Sequence, residues 1–596
     1  MKITPTSLTI SQLFSSSNEQ FFIPAYQRRY SWEWKQIAEL YDDINFLKDN
    51  DTHFLGSIVC LTSNYTVGIN TLELVDGQQR ITSLSIFLKA IQDRFVEFNE
   101  DTVVTKIDAL LHCEGIDRKA KNKVLLGDLD NPDYEKLINL KNIDQIKNKN
   151  MINAYSYIKG WLNELDLTAL NELYFKFINH SIIIRLDVGE AKDAYKLFET
   201  INNRGLSLCP TDIIKNFLLG HASTIDEEVL VDVRENWKEL IVNLDGIDTD
   251  NFFRQFISSK LHRKVTFTYL IDEFKKYYLG VVTEARELPE YEIYNEFTIN
   301  SEDIIEDELE ERISEPSDIS EKNITTISIV EFSQHLKDIS FIYKNILNRT
   351  FNDSTINKHL FNLQRIKSFP LYIFLLDLFQ RDNLQKTTII EILKILEVFM
   401  LRRHICEYRT GELDDISSKL VKVSTDNIVC EVKQNLKKDL PNDSEFEYKF
   451  SLANFKNNEN RAKYILETFE YKNICHQGEY TLNTGADLHL EHIIPKTIDT
   501  KKSKREFGDW IEYLGENSVE KHKTYVNRIG NFTLLGQKLN IVASNNPFTD
   551  KLIEYKKSNI SLTTDIAENF TSFRFIDVEN RSISMGKEAI QLWNII

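Results

Sequence analysis

Apolar spacing divides the chain into three stretches. Over the first 220 residues short apolar runs alternate with helical periods, the pattern of mixed α/β structure. Phe22-Ile23-Pro24-Ala25-Tyr26 is predicted extended, because the residue before a proline avoids the helical region. Ser31 is placed to cap a helix from Trp32. In it Trp34, Ile37, Tyr41, Ile44 and Leu47 keep the spacing of a buried face, so Trp34 is expected in the core. Strands are predicted at 56–61 and 71–75, the second ending in the turn signal Asp76-Gly77. Ile81, Leu84, Leu88, Ile91 and Phe95 mark the next helix, 101–180 reads mostly helical, and 181–188, with three consecutive isoleucines, reads as a buried strand. A helix follows through Ala194, Phe198 and Ile201, with Gly205 placed to cap it; Pro210-Thr211-Asp212 opens another, which Gly220 is placed to end.

From 221 to 440 the period is helical throughout, with strongly apolar helices at 369–379 and 389–401 and no glycine-rich loop. This stretch reads as a scaffold. Asp439-Leu440-Pro441-Asn442 is a plausible boundary, and a helix over 461–469 leads into the last stretch, which ends in a short helical tail. The predicted fold class is multidomain α+β, with domains at 1–220, 221–440 and 441–596, in line with domains of ~100–200 residues.

Composition narrows the class. A hydrophobic content of 42% in 596 residues supplies real cores. The cysteines Cys60, Cys113, Cys209, Cys406, Cys430 and Cys475 form no Cys-x-x-Cys pair, which argues against a structural zinc site and a disulfide framework and fits a reducing compartment. Met1-Lys2-Ile3-Thr4-Pro5 lacks the apolar core of a signal peptide, and no run is long and apolar enough to span a bilayer. A cytoplasmic protein with no membrane partner is expected. The net charge of −19 is unevenly spread. Between 284 and 321 fifteen acids stand against Arg286 and Arg312, a solvated stretch, whereas Lys521, Lys523, Arg528 and Lys538 fall in a segment with no acid. Local charge sets phosphate attraction, so these four are candidate DNA contacts; an ordinary solvated face is the alternative.

Two constellations carry chemistry. The first is Leu490-Glu491-His492-Ile493-Ile494-Pro495-Lys496, followed by Asn531-Phe532-Thr533-Leu534-Leu535 and Asn540. A carboxylate beside an imidazole, with carboxamides to fix geometry, is what a metal-dependent phosphodiesterase needs. His489 and His492 are three apart and no His-Glu-x-x-His helix is present, so zinc-protease chemistry is unlikely to be the use of this segment. The second is Val75-Asp76-Gly77-Gln78-Gln79-Arg80-Ile81, a strand, a tight turn and a helix start. Free amides at a helix N-terminus favour an anion, Gly77 allows close backbone approach, Arg80 can fork onto a phosphate, and Gln78 and Gln79 can bridge phosphate, base or water. Asp76 can hold a metal or orient a water. Tyr26 and Tyr30, beside Gln27 and Arg28, either anchor a core cluster or stack a nucleobase.

The first constellation resembles the HNH (ββα-metal) nucleases. That resemblance implies His492 as general base, Glu491 and Asn540 as ligands of a divalent cation such as magnesium, and Asn531 as the residue that orients His492. Glu stands where Asp is commoner and Asn where His is commoner, and the long stretch from Pro495 to Asn531 implies an insertion. The second constellation resembles the DGQQR-motif family (domain of unknown function 262), related in fold to ParB and sulfiredoxin. Two more of that family's motifs are present, 24–32 and 198–208, with Asp212 and Lys215 beyond. This resemblance implies binding and hydrolysis of a nucleoside triphosphate by Asp76, Gly77, Gln78, Gln79 and Arg80, with Gln27, Arg28, Glu199, Asn202 and Asp212 lining or bracing the pocket. The C-terminal stretch is similar to domain of unknown function 1524, through Glu491-His492-Ile493, Ile529-Gly530-Asn531, Asn540 and Phe548…Lys551.

The two together resemble the GmrSD type of modification-dependent (type IV) restriction enzyme. What this implies is a cytoplasmic anti-phage endonuclease acting on double-stranded DNA with hydroxymethylated or glucosylated cytosines; a homodimer is possible. Two alternatives stand beside it: a nicking effector of a phosphorothioate-modification system, and a nucleotide-gated DNA-binding regulator with a degenerate nuclease fold.

Overall fold

The computed structural model describes residues 3–48, 51–66, 68–202, 209–287, 326–474 and 488–595. The chain forms two compact units, Met1–Ile257 with Val265–Phe341, and Ser258–Lys264 with Ile342–Ile596. The helical stretch 221–440 is therefore not a body of its own. Its first helices pack with the α/β part and the rest with the C-terminal part. The acidic stretch beyond Glu287, Gly205 and Cys475 lie outside the described residues.

The first unit is built on a six-stranded mixed sheet. Its strands are β1 (Ile3–Thr9), β2 (Glu19–Phe22), β3 (His53–Thr66), β4 (Ile69–Asp76), β7 (Val124–Leu125) and β8 (Ser181–Val188), with a separate hairpin of β5 (His112–Glu114) and β6 (Ala120–Asn122). Their order is β1-β8-β3-β4-β2-β7. β3 and β4 are an antiparallel hairpin, while β8 runs parallel to β3 and β2 parallel to β4. β1, not anticipated from the pattern, pairs antiparallel with β8 along its whole length. Its Thr and Ser positions at the sheet edge dilute the apolar signal.

Helix α1 (Trp34–Asn45) begins two residues later than the Ser31 cap predicts, with Glu33 and Gln36 forming its capping box. The Ser31 amide instead donates to Gln79 Oε1 at 2.8 Å. Ile37, Leu40, Tyr41 and Ile44 are buried, but Trp34 is 57% exposed, so it is not a core residue. Helix α2 (Gln78–Glu97) runs through the centre of the unit, with Ile81, Leu84, Leu88, Ile91 and Phe95 fully buried as their spacing predicts. After α3 (Ala191–Asn202) comes α4 (Pro210–Ile225), which runs through Gly220 rather than ending there, and then α5 (Glu227–Asn243).

In the second unit the apolar segment at 369–379 is a 3₁₀ turn, Phe369–Leu371, followed by a helix over Tyr372–Leu378, and the next helix is Lys386–Ile405. α6 (Glu459–Ile474) precedes an antiparallel strand pair, β9 (Leu488–His492) and β10 (Phe532–Gly536). Three short helices, Lys501–Phe507, Trp510–Leu514 and Ser518–Tyr525, fill the connection where an insertion was expected. α7 (Gln537–Ala543), α8 (Phe548–Tyr555) and α9 (Phe575–Leu592) complete the part that matters for function.

Gly77 joins β4 to α2 with a φ of 91°, and a Cβ there would run into the Ile58 side chain on β3. Both the left-handed backbone and the close approach require glycine. Gly77→Ala is expected to lower stability by roughly 1–3 kcal/mol, the range for overpacking a tight site. Thermal denaturation checks this; an unchanged midpoint would contradict the tight turn.

Candidate active sites

The strand pair of the second unit sets Phe532 opposite His492 and Thr533 opposite Glu491. Successive side chains on a strand point to opposite faces, so Glu491 and His492 serve different surroundings despite adjacency in sequence. α7 follows β10 without a linker and packs on both strands, carrying half-buried Asn540 on it.

Glu491 is 5% exposed and already has partners. Its Oε1 accepts from Lys551 Nζ at 2.6 Å and from the Tyr555 hydroxyl at 2.9 Å, both on α8. The same ammonium donates to the His492 carbonyl at 2.6 Å. Burial pushes the Glu491 carboxyl up and the Lys551 ammonium down from their ordinary pKa values, and their contact offsets part of each shift. The expected ligand pair Glu491 and Asn540 does not fit a cation in this arrangement, because the Glu491 charge is answered by a buried lysine. A cation would require Glu491 to give up Lys551. Among the described residues no three His, Cys, Asp or Glu side chains are grouped to hold a metal ion.

His492 is 7% exposed, with its ring edge-on to Phe532 at 4.7 Å between centroids. Burial, with Lys496 and Lys551 nearby, lowers its pKa to about 3, against a hydrogen bond to the Asn527 side chain that favours the charged form. The ring is therefore neutral at physiological pH. Its Nε2 is buried and has no hydrogen-bond partner among the described residues.

Asn531, fully buried, does not touch the imidazole. Its Oδ1 accepts from the Ile494 amide at 2.8 Å, and its Nδ2 donates to the Ile494 and Val526 carbonyls, each at 2.9 Å. It fixes the chain just after His492. α9 braces the same turn: Arg581 donates to the Gly530 and Phe532 carbonyls, and Ser582 Oγ accepts from the Gly530 amide. Of the four bases expected at DNA, Lys521, Lys523 and Lys538 are exposed, while Arg528 is half-buried over the Tyr525 ring at 4.4 Å. Asn527, Lys551 and Tyr555 escaped assignment from sequence. A trace was there for the last two, since Phe548, Lys551, Leu552 and Tyr555 share the helical spacing of a buried face, which makes Lys551 a charge in a core position.

In the first unit the structure brings the 24–32 motif and the turn after β4 together with Asp212 and Lys215. Gln27 Nε2 donates to the Leu74 and Val75 carbonyls, each at 3.1 Å, and its Oε1 accepts from Lys215. Gln79 holds the same segment from the other side, accepting from the Ser31 amide and donating to the Arg29 carbonyl at 3.0 Å. Both carboxamides are thus clamps rather than groups open to a phosphate. Arg28 pairs with Asp212 at 3.2 Å and Lys215 lies 3.5 Å from Asp212. Burial alone would raise the Asp212 pKa, but Lys215 and Arg28 bring it below the ordinary value; burial raises that of Asp76, partly offset by Arg80. Arg80 spends one nitrogen on the Ser57 carbonyl at 2.7 Å.

Tyr26 and Tyr30 belong to the interior, at 5% and 4% exposure. The Tyr26 hydroxyl donates to Glu73 at 2.5 Å and that of Tyr30 meets Ser83 at 2.8 Å, so neither ring is open to a stacked base. Of the expected bracing residues, Glu199 and Asn202 fall in α3, with side chains outside the described set. Gln78 is as buried as Gln79, but its Oε1 has no hydrogen-bond partner among the described residues.

No helix among the described residues is long and apolar enough to cross a membrane. No curated protein matches the chain. The model of the GmrSD restriction endonuclease N-terminal domain matches residues 10–219, over the sheet and the clamped turn. That of the GmrSD restriction endonuclease C-terminal domain matches residues 440–588, over the strand pair that carries His492. With one family's two domains matched in order, each over one of the two sites, the chain belongs to the GmrSD restriction endonucleases.

Proposed function

We propose that this endonuclease cuts DNA with His492 as the general base of an HNH-type site, and that its first unit binds and hydrolyses a nucleoside triphosphate. The observation that carries the reading is a buried, neutral imidazole whose Nε2 has no hydrogen-bond partner among the described residues. A water at Nε2 loses its proton to the ring as its oxygen attacks phosphorus opposite the leaving oxygen. An arriving phosphodiester brings negative charge, which favours the imidazolium and raises the ring's pKa toward the working range. Asn531 and Lys551 fix the backbone on either side of the ring.

Lys521, Lys523 and Lys538 are the exposed charges for backbone phosphates. In the first unit, the Asp76, Arg80, Arg28, Asp212 and Lys215 cluster supports a triphosphate site, with Lys215 added to the residues expected there. DNA with hydroxymethylated or glucosylated cytosines is the substrate class that membership of the family favours.

His492→Ala is expected to reduce cutting by about 10²–10⁴-fold or more, the usual share of a general base, while nucleotide hydrolysis by the other unit continues. Plasmid or phage-DNA cleavage, run beside phosphate release, checks this. Loss of both activities together would contradict the division of labour. Lys551→Met leaves Glu491 as a buried unpaired carboxylate and is expected to cost roughly 3–5 kcal/mol. Glu491→Gln with Lys551→Met, which removes both charges, is expected to recover much of that loss in chemical denaturation. A double variant no more stable than Lys551→Met alone would show that the pair is not what these side chains contribute.

A further inference from the structure

An antiparallel strand pair needs only a tight turn, yet β9 and β10 are joined through three short helices. The charge of this connection departs from that of the chain. From 496 to 505 five bases, Lys496, Lys501, Lys502, Lys504 and Arg505, stand against one acid, Asp499, in a chain of net charge −19. All five are exposed. The segment begins four residues after His492. After burial, the Lys496 charge is the largest influence that keeps that ring neutral.

The segment is fastened at the site. His522 donates from Nε2 to the Pro495 carbonyl at 2.7 Å, so the third short helix holds the chain where β9 ends. Buried Ser503 donates from Oγ to the Thr497 carbonyl at 3.0 Å, which folds the Lys501–Phe507 helix back onto the stretch after Pro495. Ile494, Ile498 and Trp510 share one core with Phe548 and Tyr555. Two of the five bases are already answered, Lys504 by Asp509 and Arg505 by Glu506 at 3.4 Å. Lys496 meets Glu459 at 2.5 Å, but these side chains are 57% and 50% exposed. An ion pair in water adds little stability, so a phosphate can take the place of Glu459. Lys501 and Lys502 have no ion pair among the described residues. They stand in the first turn of their helix, where the dipole disfavours cations, and Lys501 has Lys504 and Arg505 three and four residues on. Folding gains nothing from bases so placed, whereas an anionic partner would.

We propose that the 496–505 segment holds the DNA backbone beside the cut, with Lys496, Lys501 and Lys502 each contacting a phosphate. Charge complementarity selects the partner: exposed ammonium groups along one short segment match the row of charges that a duplex presents, about one per 1.7 Å of axis. The proposal rests on the reading of His492 as the cutting residue, and it extends the phosphate contacts from Lys521 and Lys523 to the other end of the same connection. Backbone contacts carry no sequence information, so this segment sets the position of a duplex at His492 and leaves the choice of DNA to other groups.

The test is fluorescence anisotropy of a labelled, unmodified DNA duplex titrated with the full chain over about 50–200 mM salt, in the His492→Ala background so that the probe stays whole. Three sets of changes are compared with that parent, each first shown by its melting curve to be folded. They are Lys501→Gln with Lys502→Gln, the same two with Lys496→Gln, and Lys437→Gln with Lys438→Gln, an exposed pair elsewhere in the second unit. Each lost phosphate contact is expected to flatten the slope of log affinity against log salt by about 0.9, hence by about 1.8 in the double variant and about 2.7 in the triple. The control pair, which removes the same charge as the double variant, is expected to leave the slope unchanged. A slope unmoved in the double variant, no further fall in the triple, an equal fall in the control, or a parent that does not bind the duplex would each overturn the proposal. With cutting still lost in His492→Ala, the reading of His492 would then stand. Cutting that survives His492→Ala would overturn that reading, and the proposal with it.

Discussion

A polar group taken out of water must find a hydrogen-bond partner, and both candidate sites are organised around that constraint. In each, buried side chains are satisfied by the backbone of a segment distant in sequence. Gln27 ties the 24–30 segment to the end of β4, Gln79 ties the start of α2 back to the same segment, and Asn531 ties the start of β10 to the chain after β9. Carboxamides suit this role because one group both donates and accepts, matching the two polar atoms of a peptide. Among the described residues, Gln78 Oε1 in the first unit and His492 Nε2 in the second are buried without a hydrogen-bond partner. A site is thereby defined by which group the fold leaves unpaired as much as by those it assembles.

The second unit shows how a charge pair serves this end. Lys551 touches both the Glu491 carboxylate and the His492 carbonyl, so α8 is fastened to the end of the strand. A buried ion pair recovers little net stability, since desolvation opposes it, but losing one partner is expensive. Its effect is to make one geometry of the strand end much cheaper than others. The fully buried Asn531 and the α9 contacts to Gly530 act on the facing segment in the same way. The ring between them packs edge-on against Phe532.

Much of this was legible in the sequence where local rules and packing agree. The buried face of α2 followed from its spacing, the 181–188 strand from its isoleucines, and the Asp76-Gly77 turn from its residue types. The family followed from ordered motifs at both ends of the chain. Trp34 and Ser31 misled because a helical period gives the face but not its outer limit, and because the Ser31 amide had a better partner in Gln79. The partition of the helical stretch was illegible, since periodicity says that a helix has a buried face and not which unit covers it. The partners of Glu491 were hidden for a related reason. Lys551 and Tyr555 lie about sixty residues downstream, and only folding reveals that α8 brings their polar ends to the carboxylate.

The measurement that tests the central claim most directly is cleavage by the purified chain of glucosyl-hydroxymethylcytosine DNA against unmodified DNA, with magnesium, in the presence and absence of nucleoside triphosphate. The account predicts cutting of the modified DNA, stimulated by nucleotide, and little cutting of the unmodified DNA. Cutting of neither substrate under any of these conditions would contradict it, since the buried, neutral His492 would then serve no phosphodiester chemistry.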